Sequence, residues 1–412
     1  MSTTTVAPIP TALAATEPKP ARRDRRRLGL FVWALLFFNG LAFNQMPLLV
    51  PIPTFVGKLL TQGALALAVV LALWLNRDRV VRPNLFLTLF TVLALASLTV
   101  SIHAVYGFGT LFRAGRFCAF VAVLWLLTPL FGRPDRTLLK WHVTCLLGVL
   151  STVVVGFFVA PGRARQTDGR LGGQLWPIPP TQVGHYAAVL AGIVVVLGLC
   201  GVLRARAAML IAMPAVAVLL LSHTRTALIA MIAGVIFAML SVLTMRRRVR
   251  QALIVAVVLG ILGATVLAPA LRTWFARGES SELVGQLNGR RTVWNELVQA
   301  PRTRVTEVFG IGLTNKSFAG LPIDNSWLAT YQDQGLLGDA LCAAILLSLL
   351  LLASMRPRGP GVAIAVFLVV YCAIASFTET GLGDVSPYVL DLTVAASLLA
   401  LPGDGLRAVV SR

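Results

Sequence analysis

The chain is built from apolar runs of about 20 residues, the length at which a helix crosses the hydrocarbon of a bilayer. They fall at roughly 28–44, 57–75, 84–101, 115–131, 141–160, 183–203, 207–222, 226–244, 251–270, 336–354, 361–378 and 387–402. In lipid each backbone polar group must find its partner within the protein, so such runs fold as helices. Hydrophobic residues make up 57% of the chain and charged residues only 13%, about half the share in a soluble domain. A single water-soluble core is thereby excluded. The expected fold is all-α and polytopic, with about 12 transmembrane helices and one large extracytoplasmic loop before the tenth. No internal repeat and no inverted pair of broken helices is visible.

Charge is concentrated in the links between runs. ArgArgAspArgArgArg at 22–27 and the segments 76–83, 132–136, 204–206, 245–250 and 355–358 are all basic. With the N-terminus inside, each of them falls on the cytoplasmic side, as the positive-inside rule requires, and both termini are cytoplasmic. Residues 1–27 are then a disordered, basic cytoplasmic N-terminus, too poor in bulky apolar residues to fold alone. Residues 28–270 carry helices 1–9, 271–335 an extracytoplasmic loop subdomain, 336–402 helices 10–12, and 403–412 a cytoplasmic tail. No small-residue cleavage site follows the first run, so it is expected to be retained as a helix. The five cysteines lie inside apolar runs without metal-like or CxxC spacing and read as packing residues. The net charge of +20, from 36 Lys+Arg against 16 Asp+Glu, is therefore mostly topology, and no nucleic acid is needed to explain it.

A second set of basic residues breaks that rule. Arg163, Arg165, Arg170, Arg225, Arg272, Arg277, Arg290, Arg291, Arg302, Arg304 and Lys316 fall on the outer side, and Arg113 and Arg116 lie at the outer mouth of the fourth run. Arg170, between AspGly and LeuGlyGly on a flexible backbone, offers a planar fork of donors that suits phosphate oxygens, or else snorkels to lipid headgroups. Arg225, at the junction of two runs, is costly unless it faces water, an anion or an outer carboxylate. Asp324 and Asn325 are candidate caps for the next helix; Asp324 is alternatively a general base taking a proton from a hydroxyl. Asp333, nine residues on, either pairs with an outer arginine or dips into the interface, and Glu379 and Asp384 add carboxylates on the same side. His103, His142 and His185 are scattered over three runs, which argues against a zinc site. No nucleotide-binding or metal motif is present, so no cofactor is expected. Trp294, Phe318, Trp327 and Tyr331 suit packing and the aromatic belt, with sugar stacking open to one or two of them.

The ordered set GlyArgLeuGlyGly (169–173), SerHisThrArgThrAla (222–227), GlyArgArgThrValTrp (289–294), GlyIleGly (310–312) and AspAsnSerTrpLeu with AspGlnGlyLeuLeuGly (324–338) resembles the O-antigen ligase and polysaccharide polymerase superfamily. The resemblance covers about residues 80–400. It implies a metal-independent glycosyltransferase at the outer face of the cytoplasmic membrane. Such an enzyme moves a glycan from undecaprenyl pyrophosphate to a hydroxyl of a glycan or glycolipid acceptor, as a ligase or a polymerase. By the same resemblance Arg170 and Arg225 hold the pyrophosphate, and Arg290, the loop arginine ahead of Trp294, binds substrate together with Asn325 and Asp333. Asp324 stands where the family often has a histidine. The alternative from another class is a secondary transporter or flippase for an anionic solute or lipid-linked glycan, recruited by the outer arginines; it would have to work with Asp339 and Asp391 as its main mid-membrane charges.

Overall fold

The computed structural model describes residues 19–41, 43, 48–78, 80–103, 107–166, 169–242, 274 and 290–401. The expected run 251–270, the basic link 245–250, Arg272, Arg277, residues 1–18 and the tail 403–412 lie outside the described residues. Each of the other expected runs falls on a helix. They are α1 (Lys19–Gly40), α2 (Thr54–Leu75), α3 (Leu85–His103), α4 (Phe108–Leu126), α5 (Thr137–Val159), α7 (Pro180–Leu199), α8 (Ala205–Leu221), α9 (Arg225–Val242), α12 (Ser326–Met355), α13 (Pro360–Ala375) and α14 (Pro387–Leu399). The short α6 (Pro161–Ala164), α10 (Arg290–Gln299) and α11 (Arg304–Phe309) and a two-stranded hairpin, Ser317–Phe318 with Leu321–Pro322, belong to the links. Among the described residues, seven helices are long and apolar enough to cross a membrane, and α8, α13 and α14 are shorter apolar helices.

Hydrogen bonds between links sort them into two ends. At one, Arg26 pairs with Asp135 at 2.7 Å, Arg82 N donates to Thr128, and Arg356 Nε donates to Leu399 O. At the other, Leu49 N reaches Gln174 O, Leu171 N reaches Leu221 O, and Ser326 N reaches Ser376 O. The basic links 22–27, 76–83, 132–136 and 355–358 thus share one end, and Arg170, Arg225, Arg290, Asp324 and Glu379 gather at the other.

Helix α7 runs through the middle, buried along most of its length. Its glycines allow this: a Cβ at Gly192 would collide with the Phe367 ring of α13, and one at Gly184 with Thr224. On the periphery Phe55, Phe158, Leu210 and Met213 are each at least 69% exposed, the apolar surface that a lipid-facing helix presents. Two of the three histidines meet although they lie on different runs, while His103 stays apart on α3. His142 of α5 and His185 of α7 close on the two oxygens of Asp391 in α14, at 2.8 and 3.2 Å, and Tyr371 OH lies 3.1 Å from His185 Nδ1. All three ion-pair side chains are at most 2% exposed.

One helix is broken. Gly335 takes φ 65° and ψ −165° inside α12, a region essentially reserved for glycine. The carbonyls just ahead of the break are taken up by the GlyIleGly turn, with Ile311 N on Gln332 O at 3.0 Å and Gly312 N on Asp333 O at 2.9 Å. Gly310 and Gly335 touch backbone to backbone, leaving no room for a Cβ on either. The turn that follows α11 is thereby docked onto the start of the spanning part of α12.

Candidate functional site

The site end is organised by the link between α13 and α14, residues 376–386. AspAsnSerTrp at 324–327 clamps it. Asn325 Oδ1 accepts from Leu328 N at 3.1 Å, capping α12, while its Nδ2 donates to Phe377 O at 3.0 Å. Ser326 Oγ donates to Glu379 O at 2.7 Å, and Trp327 Nε1 donates to Ser376 Oγ at 2.9 Å. Of the two candidate caps it is Asn325 that closes the helix. Asp324, one residue earlier and in the left-handed region at φ 45°, is left free to face the loop. There its Oδ2 pairs with Arg290 Nη2 at 3.0 Å.

Arg290 opens α10 and also donates from Nη1 to Thr378 O at 3.2 Å, so it ties Asp324 to the same link. Its helix is held by Trp294, whose Nε1 donates to Ile323 O at 2.6 Å. Leu297, Ile323 and Ala329, with Trp294, Phe318, Leu328 and Tyr331 around them, form a small apolar cluster separate from the bundle core.

Arg170 comes from the other side. The GlyArgLeuGlyGly segment is tied down rather than flexible: Leu171 N reaches Leu221 O and Gly172 N reaches Ala164 O, each at 3.0 Å. Gly169 supplies the turn at φ 76°, and Thr167 and Asp168 lie outside the described residues. Arg170 Nε donates to Ser222 O at 3.0 Å, which locks it to the turn between α8 and α9. Arg225 is the first residue of α9 in that same turn, half-buried. His223, at φ 50°, stacks on Trp274 with ring centres 5.6 Å apart.

Glu379 lies where these parts meet. Burial pushes its carboxyl up to about 7; the nearby Arg290 and Arg170 pull it down and Asp324 raises it. Three of the sequence candidates therefore act on one carboxyl group that sequence reasoning had noted only as an additional charge. The available signal was its position: one of two carboxylates in a short link between two apolar runs, in a chain with only 16 of them.

Asp333 is elsewhere. It lies 1% exposed just before the break in α12, with Thr314 Oγ1 donating to its Oδ1 at 2.7 Å. Its charged neighbours are Lys316 and Asp384, themselves paired at 3.6 Å, so it does not hold an arginine. The carboxylates of this end thus divide into Asp324 with Glu379, and Asp333 with Asp384.

Long apolar helices packed around a buried core, with a cluster of arginines and carboxylates at one end, define a multi-pass membrane protein. Residues 207–341 match the O-antigen ligase family model, and the match supports an O-antigen ligase-related family. The matched stretch runs from α8 to α12 and contains Arg225, Arg290, Asp324, Asn325 and Asp333, while Arg170 and Glu379 lie beyond its two ends. Comparison with curated proteins yielded no significant match. The family is one of membrane glycosyl-transfer enzymes of the ligase and polymerase type, which act on lipid-linked glycans in cell-envelope biogenesis.

Proposed function

We propose that the protein transfers a glycan from undecaprenyl pyrophosphate to an acceptor hydroxyl at the extracytoplasmic face of the cytoplasmic membrane. The observation that carries this is the convergence of Arg170, Arg290 and Asp324 on Glu379, at the end of the bundle opposite Arg26, Arg82 and Arg356. By the positive-inside rule the latter end is cytoplasmic. That orientation goes with about 12 spans, both termini cytoplasmic, and residues 271–335 as an extracytoplasmic subdomain.

In this reading the acceptor oxygen attacks the anomeric carbon as the bond from that carbon to the pyrophosphate oxygen breaks. Negative charge grows on the leaving pyrophosphate, and Arg170 and Arg225, on either side of the α8–α9 turn, stabilise it. The hydroxyl proton passes to Asp324, which is a third exposed. Glu379, with its proton affinity raised to about 7, is matched to share that proton near neutral pH. Arg290 and Asn325 position Asp324, and Asp333 keeps the docked turn in place beneath the acceptor. A transporter would need an accessible charge within the bundle. Of its two candidates, Asp391 is sealed between two imidazoles, which leaves only the partly exposed Asp339 of α12.

The test is replacement of Arg170, Arg225 and Asp324, one at a time, by Ala, Ala and Asn in cells lacking the native copy. Surface glycan should fall by roughly a hundredfold or more, the scale of losing one oxyanion-type contact, with membrane insertion unchanged. Normal surface glycan from inserted variants would refute the assignment.

A further inference from the structure

A cavity of about 730 Å³ opens between the start of α4, the segment after α10 and Gln332 of α12, lined by none of the reaction cluster. Its size is inside the range of roughly 300–1,000 Å³ typical of small-ligand sites. Its wall combines Arg113 at the start of α4, Arg302 after α10, and Thr314, Asn315, Ser317 and Gln332. None of these is needed for the transfer step described above. Arg302 lies over the Tyr331 ring at 4.5 Å, which fixes the guanidinium, and its Nη1 is buried without a hydrogen bond. Gln332, 5% exposed, donates from Nε2 to Ser317 O, while its Oε1 is buried and accepts nothing. The protein thus leaves a cationic donor and an amide acceptor unsatisfied at one wall, a cost that ligand contacts can offset. Neither Arg113 nor Arg302 forms an ion pair among the described residues.

The same two helices reach both places. At 1.5 Å per residue, α10 carries the chain about 15 Å from Arg290 to Ala300 at the cavity wall. Over its first turns α12 covers about 12 Å from Asp324 to Gln332. A linear ligand lying along this pair would occupy the cavity and the cluster at once. Hydroxyl and amide side chains make up half of the wall, which suits the mixed polar and apolar faces of a sugar, and the two arginines add a demand for negative charge.

We propose that this cavity binds an anionic oligosaccharide segment of the transferred or accepting glycan, with Arg113 and Arg302 gripping an acidic substituent. The assignment rests on the glycosyl-transfer reading for its biological ligand, although binding itself is independent of transfer. The experiment is calorimetric titration of the purified full chain with a glucuronate-containing oligosaccharide and with its carboxyl-reduced neutral counterpart. The acidic probe should bind at least roughly tenfold more tightly. Arg113→Gln and Arg302→Gln, on separate elements, should each remove that difference while thermal unfolding and monodispersity stay as in the parent. Equal binding of the two probes, no binding, unchanged affinity in both variants, or displacement of the acidic probe by phosphatidylglycerol vesicles would each overturn the proposal. The arms separate from the transfer reading through Arg170→Ala. Loss of surface glycan in that variant, with probe binding indifferent to Arg113 and Arg302, removes the cavity assignment alone. Persisting glycan in that variant, with charge-dependent probe binding, removes the transfer reading alone.

Discussion

Burial raises the Glu379 carboxyl to about 7, and the two arginines beside it do not restore its ordinary value of 4.5. The folded chain therefore holds this proton more tightly than the unfolded chain. Between about pH 4.5 and 7 the native state binds more protons, so stability falls as pH rises through that window. Glu379→Gln should lose less thermal stability than the parent from about pH 5 to about pH 8, measured by tryptophan fluorescence in detergent. An identical slope in both would mean that another group titrates. In transfer assays the same variant should flatten the pH dependence near neutrality. Asp324 differs in kind, since its partner is Arg290 at 3.0 Å and it is a third exposed. Two carboxyl groups gathered at the same link thus have separate tasks because one is buried and the other is paired.

At the scale of elements, the break in α12 explains why two glycine motifs far apart in sequence belong together. Gly335 and Gly310 adopt backbone angles that other residues avoid; a Cβ on Gly335 would meet Val308 and Gly310, and one on Gly310 would meet Asp333 and Gln334. The contact sets where α12 begins its descent, where Asp333 and Gln332 point, and how the α10–α11 segment is seated. Gly335→Ala should cost about 1–3 kcal/mol from backbone strain alone, and more from collision with Val308 and Gly310. The prediction is checked by comparing denaturation midpoints, and a midpoint equal to the parent's would show that the turn can slide away. The Asn325 cap acts in the same region. It allows the preceding residue to turn toward Arg290 instead of serving its own helix.

Across the whole molecule, His142, His185 and Asp391 pin α5, α7 and α14 together in the interior of the bundle. Removing one member of a buried polar group of this kind costs about 1–3 kcal/mol because the others remain buried without their hydrogen bonds. Asp391→Ala should therefore destabilise the protein by that order, and Asp391→Asn by less, since the amide oxygen still accepts from one imidazole. Equal, small effects in thermal unfolding would mean that packing rather than this triad joins the three helices. The pin lies within the bundle, whereas Arg170, Arg225, Arg290 and Glu379 lie at one end. The scaffold and the chemistry are therefore separable by mutation.

The positions of the helices, the division of charge between links, and the candidacy of Arg170, Arg225, Arg290 and Asp324 were legible in the sequence. Each is a local property: run length, charge at a run's end, or a short motif. Hidden were the partners. That Glu379 stands among Arg170, Arg290 and Asp324, that Asp333 belongs with Lys316, and that two distant histidines share Asp391 depend on which helices pack side by side. Nothing within one apolar run encodes its neighbour, because lipid satisfies any apolar face equally well and only helix packing and interhelical hydrogen bonds discriminate. The sequence by itself determined a membrane-spanning helical protein with an excess of arginine between its spans. Only the tertiary structure decided which of those arginines meet a carboxylate, because that pairing is made across the bundle.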